Sequence, residues 1–149
     1  MKEKKVSKDT PLAEITLRKY ERPYNLSERE LVKKICLSIG LLQPGDSRDI
    51  IVDILYVLVK EKKELNSKDI EEKVKASRKR HKLQMLGAAP SNIRRQLKRL
   101  KDIFIIESVR NKYRLTEKLT LEEIFEDKIE KFYLQSIVER VKDYFRALK

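Results

Sequence analysis

Cysteine is almost missing from this chain. Cys36 stands alone, so no disulfide can form within it and no pair of thiolates is offered to a metal. That is the chemistry of a reducing interior. Tryptophan is absent, and three glycines with four prolines are too few for the many turns of an all-β sandwich. The longest apolar run, residues 54–59, falls far short of the ~18 residues that a membrane-spanning helix needs. The first ten residues are basic, but no apolar stretch of the kind a secretory leader carries follows them. A cytoplasmic protein without a membrane partner is the expectation.

Catalytic patterns are equally sparse. There is no glycine-rich phosphate loop, no His-Glu metal spacing and no serine elbow. His81, the single histidine, sits among cations, and Cys36 lies on an apolar segment, where a buried core thiol is the default. Neither has a partner that would make it a general base or a nucleophile. No metal, cofactor or enzymatic activity is therefore expected, and no apolar pocket with converging polar groups points to a small-molecule ligand.

What the chain does have is charge. Charged residues make up 40% of it, apolar residues another 40%, and the net charge is +12. The excess is local: residues 67–101 hold twelve Lys and Arg against three Asp and Glu, +9 of the total. A solvated surface mixes its signs, so a block this lopsided calls for an anionic partner, nucleic acid before any other. Abundant Lys, Glu and Arg is also the compositional lean of proteins from hot environments.

Along the chain, residues 1–10 read as a flexible basic tail. Residues 12–21 are compatible with either a strand or a short helix. Ser27-Glu28-Arg29-Glu30 is a capping-box pattern that opens a helix over 28–39, with Leu31, Ile35, Ile39 and Leu42 as its apolar stripe and Gly40 as its stop. After a turn ending in an N-cap at Asp46 or Ser47, residues 48–63 are apolar on nearly every side, as in a central buried helix. Ser67 caps a further helix with Ile70, Val74 and Ser77 inside, expected to fray at 78–82. A connector over 83–90 leads to a helix over 91–101. Residues 103–109 and 113–117 then flank Arg110-Asn111-Lys112 as a β-hairpin, with Asn111 the expected positive-φ residue. Residues 121–148 return to helical periodicity, with a break expected near Gln135-Ser136. Leu134, Ile137, Val141, Tyr144 and Leu148 form a narrow seam that suits either helix pairing between two copies or cover for the chain's own core.

The helix over 91–101 carries the functional argument. Ile93, Leu97 and Leu100 recur at i, i+4, i+7 and must face inward. With Ile93 at zero and ~100° per residue, Arg95 falls at about 200°, Ser91 at about 160°, Lys98 at about 140°, Arg99 at about 240° and Asn92 at about 260°. The wet side is almost wholly donors, and residues 91–101 contain no acid. Arg pairs bidentately with guanine and Asn with adenine, so Asn92, Arg95 and Arg99 are candidate base readers. Ser91, Arg94, Lys98 and Lys101, together with Arg78, Lys79, Arg80 and Lys82 ahead of the connector, are candidate phosphate contacts.

The run 89–100 (APSNIRRQLKRL), with Phe104-Ile105-Ile106 and Tyr113-Arg114-Leu115-Thr116, resembles the recognition helix and wing of winged-helix transcriptional regulators of archaea and bacteria. Where members carry a Leu-Gly step before the first wing strand, Ile103-Phe104 stands here. The resemblance implies that residues 91–101 enter the major groove and that Arg110, Lys112 and Arg114 are wing contacts to phosphate or the minor groove. The expected architecture is mainly α with a small β-hairpin wing. It divides into the tail (1–10), an N-terminal helical extension (11–46), the winged helix (47–117) and a C-terminal helix (118–149) that is a candidate dimerisation element. The expected partners are double-stranded DNA and a second copy of the chain; the alternative is a protein- or RNA-interaction module in replication, transcription or ribosome-associated assembly.

Overall fold

The computed structural model describes residues 8–61 and 63–149; the expected basic tail lies largely outside them. The protein is mainly helical with one small antiparallel hairpin. Residues 12–21 are neither strand nor helix but an irregular strap. Arg18 fastens it, donating from its backbone to the Ser38 carbonyl at 2.8 Å and from its guanidinium to the carbonyls of Leu37 and Leu42 at 2.7 and 3.1 Å.

Helix α1 (Glu28–Ser38) starts at Ser27, whose hydroxyl accepts from the Glu30 amide, and stops where Gly40 turns to φ +76°. Within the helix its inner face is rotated by one residue from the expected stripe, whose last members, Ile39 and Leu42, are buried as expected. Val32 and Cys36 are buried, whereas Leu31 and Ile35 are 38% and 37% exposed. Arg29 lies on the Val32–Cys36 face at i−3 and i−7, and its ion pairs with Asp49 and Asp53 fix that rotation. Burial pushes the Cys36 thiol up to about 12, which leaves it protonated and inert at neutral pH.

Helix α2 (Ile50–Lys60) is the hub, with Val52, Ile54 and Leu55 fully excluded from solvent. It starts later than expected. Asp46 accepts from the Arg48 amide in a turn, and Asp49 occupies the N-cap position while its carboxylate goes to Arg29 and Arg78 instead of the helix end. Helix α3 (Ser67–Arg80) is capped by Asn66 through the Asp69 amide, and Ser67 is its first residue. Its basic end does not fray: the helix runs through Arg80, and Lys82 takes the left-handed conformation just beyond it.

Helix α4 (Pro90–Asp102) opens on a proline at its first turn, where a missing N–H costs nothing. Strands β1 (Ile106–Val109) and β2 (Lys112–Leu115) pair antiparallel with Val109 opposite Lys112. Both Arg110 and Asn111 have positive φ, 53° and 63°, as a two-residue turn of this hand requires. Leu65 adds a one-residue bridge to Tyr113, which tethers the hairpin to the connection between α2 and α3.

Phe104 occupies the left-handed position after α4, at φ 66°, with the Ile105 amide bonded back to the Leu100 carbonyl. Its ring meets Phe132 and Tyr133 edge-on, with centroids 6.0 and 5.5 Å away. The final helix begins as α5 (Leu121–Ile124), continues as π-helical turns over Phe125–Leu134 and resumes as α6 (Gln135–Ala147). Ile124 and Ile129, five residues apart, are both fully buried, a spacing that wider i→i+5 turns keep on one side. Instead of breaking near Gln135, the helix returns there to α geometry. No residue of α6 is buried. Among the described residues no helix is long and apolar enough to cross a membrane.

Candidate nucleic-acid interface

Helix α4 is held by its aliphatic side: Ile93, Leu97 and Leu100 are 1%, 0% and 0% exposed. Its other side leaves Ser91, Arg94, Arg95, Lys98 and Lys101 in solvent, a row of donors without a carboxylate until Asp102. Lys98 reaches that carboxylate at 2.9 Å, but both side chains are more than half exposed, so the pair is weak and screened by salt. Arg94 and Lys101 hold no ion pair among the described residues, nor do Lys79, Arg80, Lys82, Arg110 and Lys112, all of them exposed. These are the cations that a polyanion can reach.

Four expected contacts are spoken for elsewhere. Arg78 is 2% exposed, and its guanidinium bonds Asp49 at 3.0 Å, Asp53 at 2.6 Å and the Gln84 carbonyl at 2.6 Å. It is a structural residue, not a phosphate contact. Arg114 of the wing pairs with Glu107 at 2.7 Å and Glu64 at 2.9 Å, so its charge is already matched. The Glu107 and Glu64 hydrogen bonds raise the Arg114 pKa further, and Glu64 is correspondingly lowered. Arg99 donates to Gln96 at 2.7 Å and to the Leu41 carbonyl at 2.9 Å, which turns it toward the N-terminal extension instead of a groove.

Asn92 is the fourth. Its amide nitrogen donates to the Gly87 carbonyl at 2.7 Å, and its oxygen accepts from Arg95 at 2.7 Å and Gln96 at 3.1 Å. Its oxygen already accepts twice, so it is not left to form a bidentate pair with adenine. Together with Arg99 these bonds make one chain along α4, from the connector at Gly87 to the extension at Leu41. Gly87 has φ +82°, and a Cβ there would lie 2.9 Å from the Asn92 amide nitrogen, so the connector is shaped around this side chain.

His81 directs its Nδ1 to the Ser77 carbonyl at 2.8 Å and packs edge-on against Tyr56. Among the described residues no group of three or more His, Cys, Asp or Glu is placed to hold a metal. Of the seam in the last helix, Leu134 and Ile137 are half-buried, whereas Val141, Tyr144 and Leu148 are 49%, 75% and 85% exposed. The body of the protein does not cover that end of the stripe.

What sequence reasoning missed is the internal use of its best polar residues. Asp53 was the available signal, an acid inside a helix apolar all round, which demands a buried cation. Comparison with protein-family models, curated proteins and solved structures finds no match to the chain.

Proposed function

We propose that the chain is a winged-helix regulator that binds double-stranded DNA sequence-specifically, with α4 in the major groove and the hairpin against phosphate or the minor groove. The carrying observation is the acid-free face of α4, anchored from behind by Ile93, Leu97 and Leu100 and leaving Arg94, Arg95, Lys98 and Lys101 in solvent. Lys79, Arg80 and Lys82 at and after the end of α3, and Arg110 and Lys112 on the hairpin, add further phosphate contacts in this reading. A homodimer through the seam of α6 doubles the site, since one recognition helix reads few base pairs.

A titration against mixed and selected duplexes at several salt concentrations tests this. Engagement of Z phosphates gives a slope of about −0.9Z in log K against log salt, and base readout adds a discrimination of ~1–3 kcal/mol per mismatched pair. One observation favours a second reading. With Asn92 and Arg99 occupied internally, few side chains remain to read bases, which suits an RNA- or protein-docking module that meets phosphate alone. A steep salt slope with no preference among duplex sequences would decide for that alternative.

A further inference from the structure

The hydrogen-bond chain along α4 holds one exposed arginine in place. Arg95 Nη2 lies 2.7 Å from Asn92 Oδ1, and Asn92 is itself fixed by its 2.7 Å bond to the Gly87 carbonyl. A solvated arginine ordinarily loses much rotamer freedom when it binds; one already tethered loses less. The tether uses one of the five guanidinium N–H donors, so a bidentate edge remains for an acceptor pair. Gly87 presents its carbonyl to Asn92 from a left-handed backbone, with φ +82°.

We infer that Arg95 is the specificity-determining residue of α4, reading a guanine through its O6 and N7, and that Asn92 is its positioning residue. The inference rests on the duplex-binding reading above. Asn92 acts through its oxygen, as an acceptor that orients Arg95, and not through contact with a base. Lys98, Lys101 and Arg94 then supply affinity without sequence information.

The probe is the duplex enriched by the wild-type protein from a random pool, together with its single-pair substitutions. Wild type should prefer one guanine by about tenfold over the other bases. Arg95→Ala should abolish that preference, and Asn92→Ala should reduce it to about two- or threefold. Adding Asn92→Ala to Arg95→Ala should change it no further, the signature of two residues acting as one unit. Asn92→Asp provides the control: it keeps an acceptor oxygen for Arg95 but gives up the Gly87 bond that fixes the side chain, so it should lose less of the preference than Asn92→Ala does.

Equal loss in Asn92→Asp and Asn92→Ala would overturn the positioning role, because the start of the helix and not the acceptor would then be responsible. Duplex binding whose base preference survives Arg95→Ala would overturn this inference and leave the DNA reading standing. Wild-type protein with no preference at any position would overturn both.

Discussion

Arg78 Nη1 stands 2.6 Å from Asp53 Oδ2, with 3% and 0% of the two side chains exposed. Arg29 reaches the same carboxylate at 2.9 Å from α1, and Asp49 bonds both arginines at 3.2 and 3.0 Å. Two buried arginines and two carboxylates, with Lys33 at the rim 4.0 Å from Asp49, thus form a cluster that ties α1, α2, α3 and the start of the connector together. Desolvating four charges is costly, and the cluster is tolerated because they are paired and hydrogen-bonded.

Removing one member leaves the others uncompensated. Arg78→Met, close in length and without charge, should destabilise the protein by about 3–5 kcal/mol, read from urea unfolding. Replacing the whole cluster with apolar residues should cost far less than that single change. A loss below about 1 kcal/mol for Arg78→Met would show that the buried pair is not held as described.

The cluster also sets an acid limit. Burial alone would raise the Asp49 carboxyl, but hydrogen bonds from Arg78 and Arg29, with their charges, outweigh it and hold its pKa below the usual carboxylate range. A depressed folded-state pKa contributes stability that is present above the unfolded value and lost as pH falls through the folded one. Urea midpoints should therefore decline below about pH 4, the ordinary aspartate range. Asn at position 49 should lower stability at neutral pH and flatten that decline. An acid limb unchanged by Asp49→Asn would assign it to other carboxylates.

The architecture could be read because it depends on periodicity. Ile93, Leu97 and Leu100 announced their face of α4, the apolar surround of α2 announced a hub, and Arg110-Asn111-Lys112 announced a turn, which is one residue shorter because Lys112 pairs with Val109. The site was read less well for a physical reason. A polar side chain in a sequence carries no mark of whether it will bond inward or outward, and Asn92, Arg99, Arg78 and Arg114 all found intramolecular partners. The one-residue rotation of α1 has the same origin, since nothing in the sequence marks Arg29 as a cation whose ion pairs orient the helix.

The wing offers a comparison within a single hairpin. Arg110 sits exposed at the turn, whereas Arg114 is neutralised by Glu107 and Glu64. Arg110→Ala should reduce the salt slope of duplex binding by about one. Arg114→Ala should leave the slope nearly unaltered and act through hairpin stability. If both reduce the slope alike, the Glu107 and Glu64 pairs open on binding, and the wing assignment must be revised.

Phe104 combines a backbone that favours glycine with a ring that anchors the final helix. Phe104→Ala loses the contacts with Phe132 and Tyr133 and keeps the left-handed strain. Phe104→Gly loses the same contacts but relieves the strain. The glycine variant should therefore be the more stable of the two by about 1 kcal/mol in chemical unfolding, with both below wild type. Alanine equal to or better than glycine would mean that the left-handed conformation is not maintained.

The last prediction concerns α6, whose stripe grows more exposed toward its end, from half-buried Ile137 through Val141 at 49% to Leu148 at 85%. Phe145, 76% exposed beside Tyr144, widens it. Apolar residues at this spacing that the other described residues leave exposed suit a helix that packs on a partner. If that partner is a second copy, sedimentation at tens of micromolar should give a dimer, and Val141→Glu a monomer. Because Val141 contributes little to the protomer's own core, the substitution should change the unfolding free energy of the monomer by no more than about 0.5 kcal/mol. Duplex binding by Val141→Glu should then weaken at a two-fold symmetric site while persisting at a half-site. A wild-type monomer under these conditions would remove the homodimer and leave α4 to act alone.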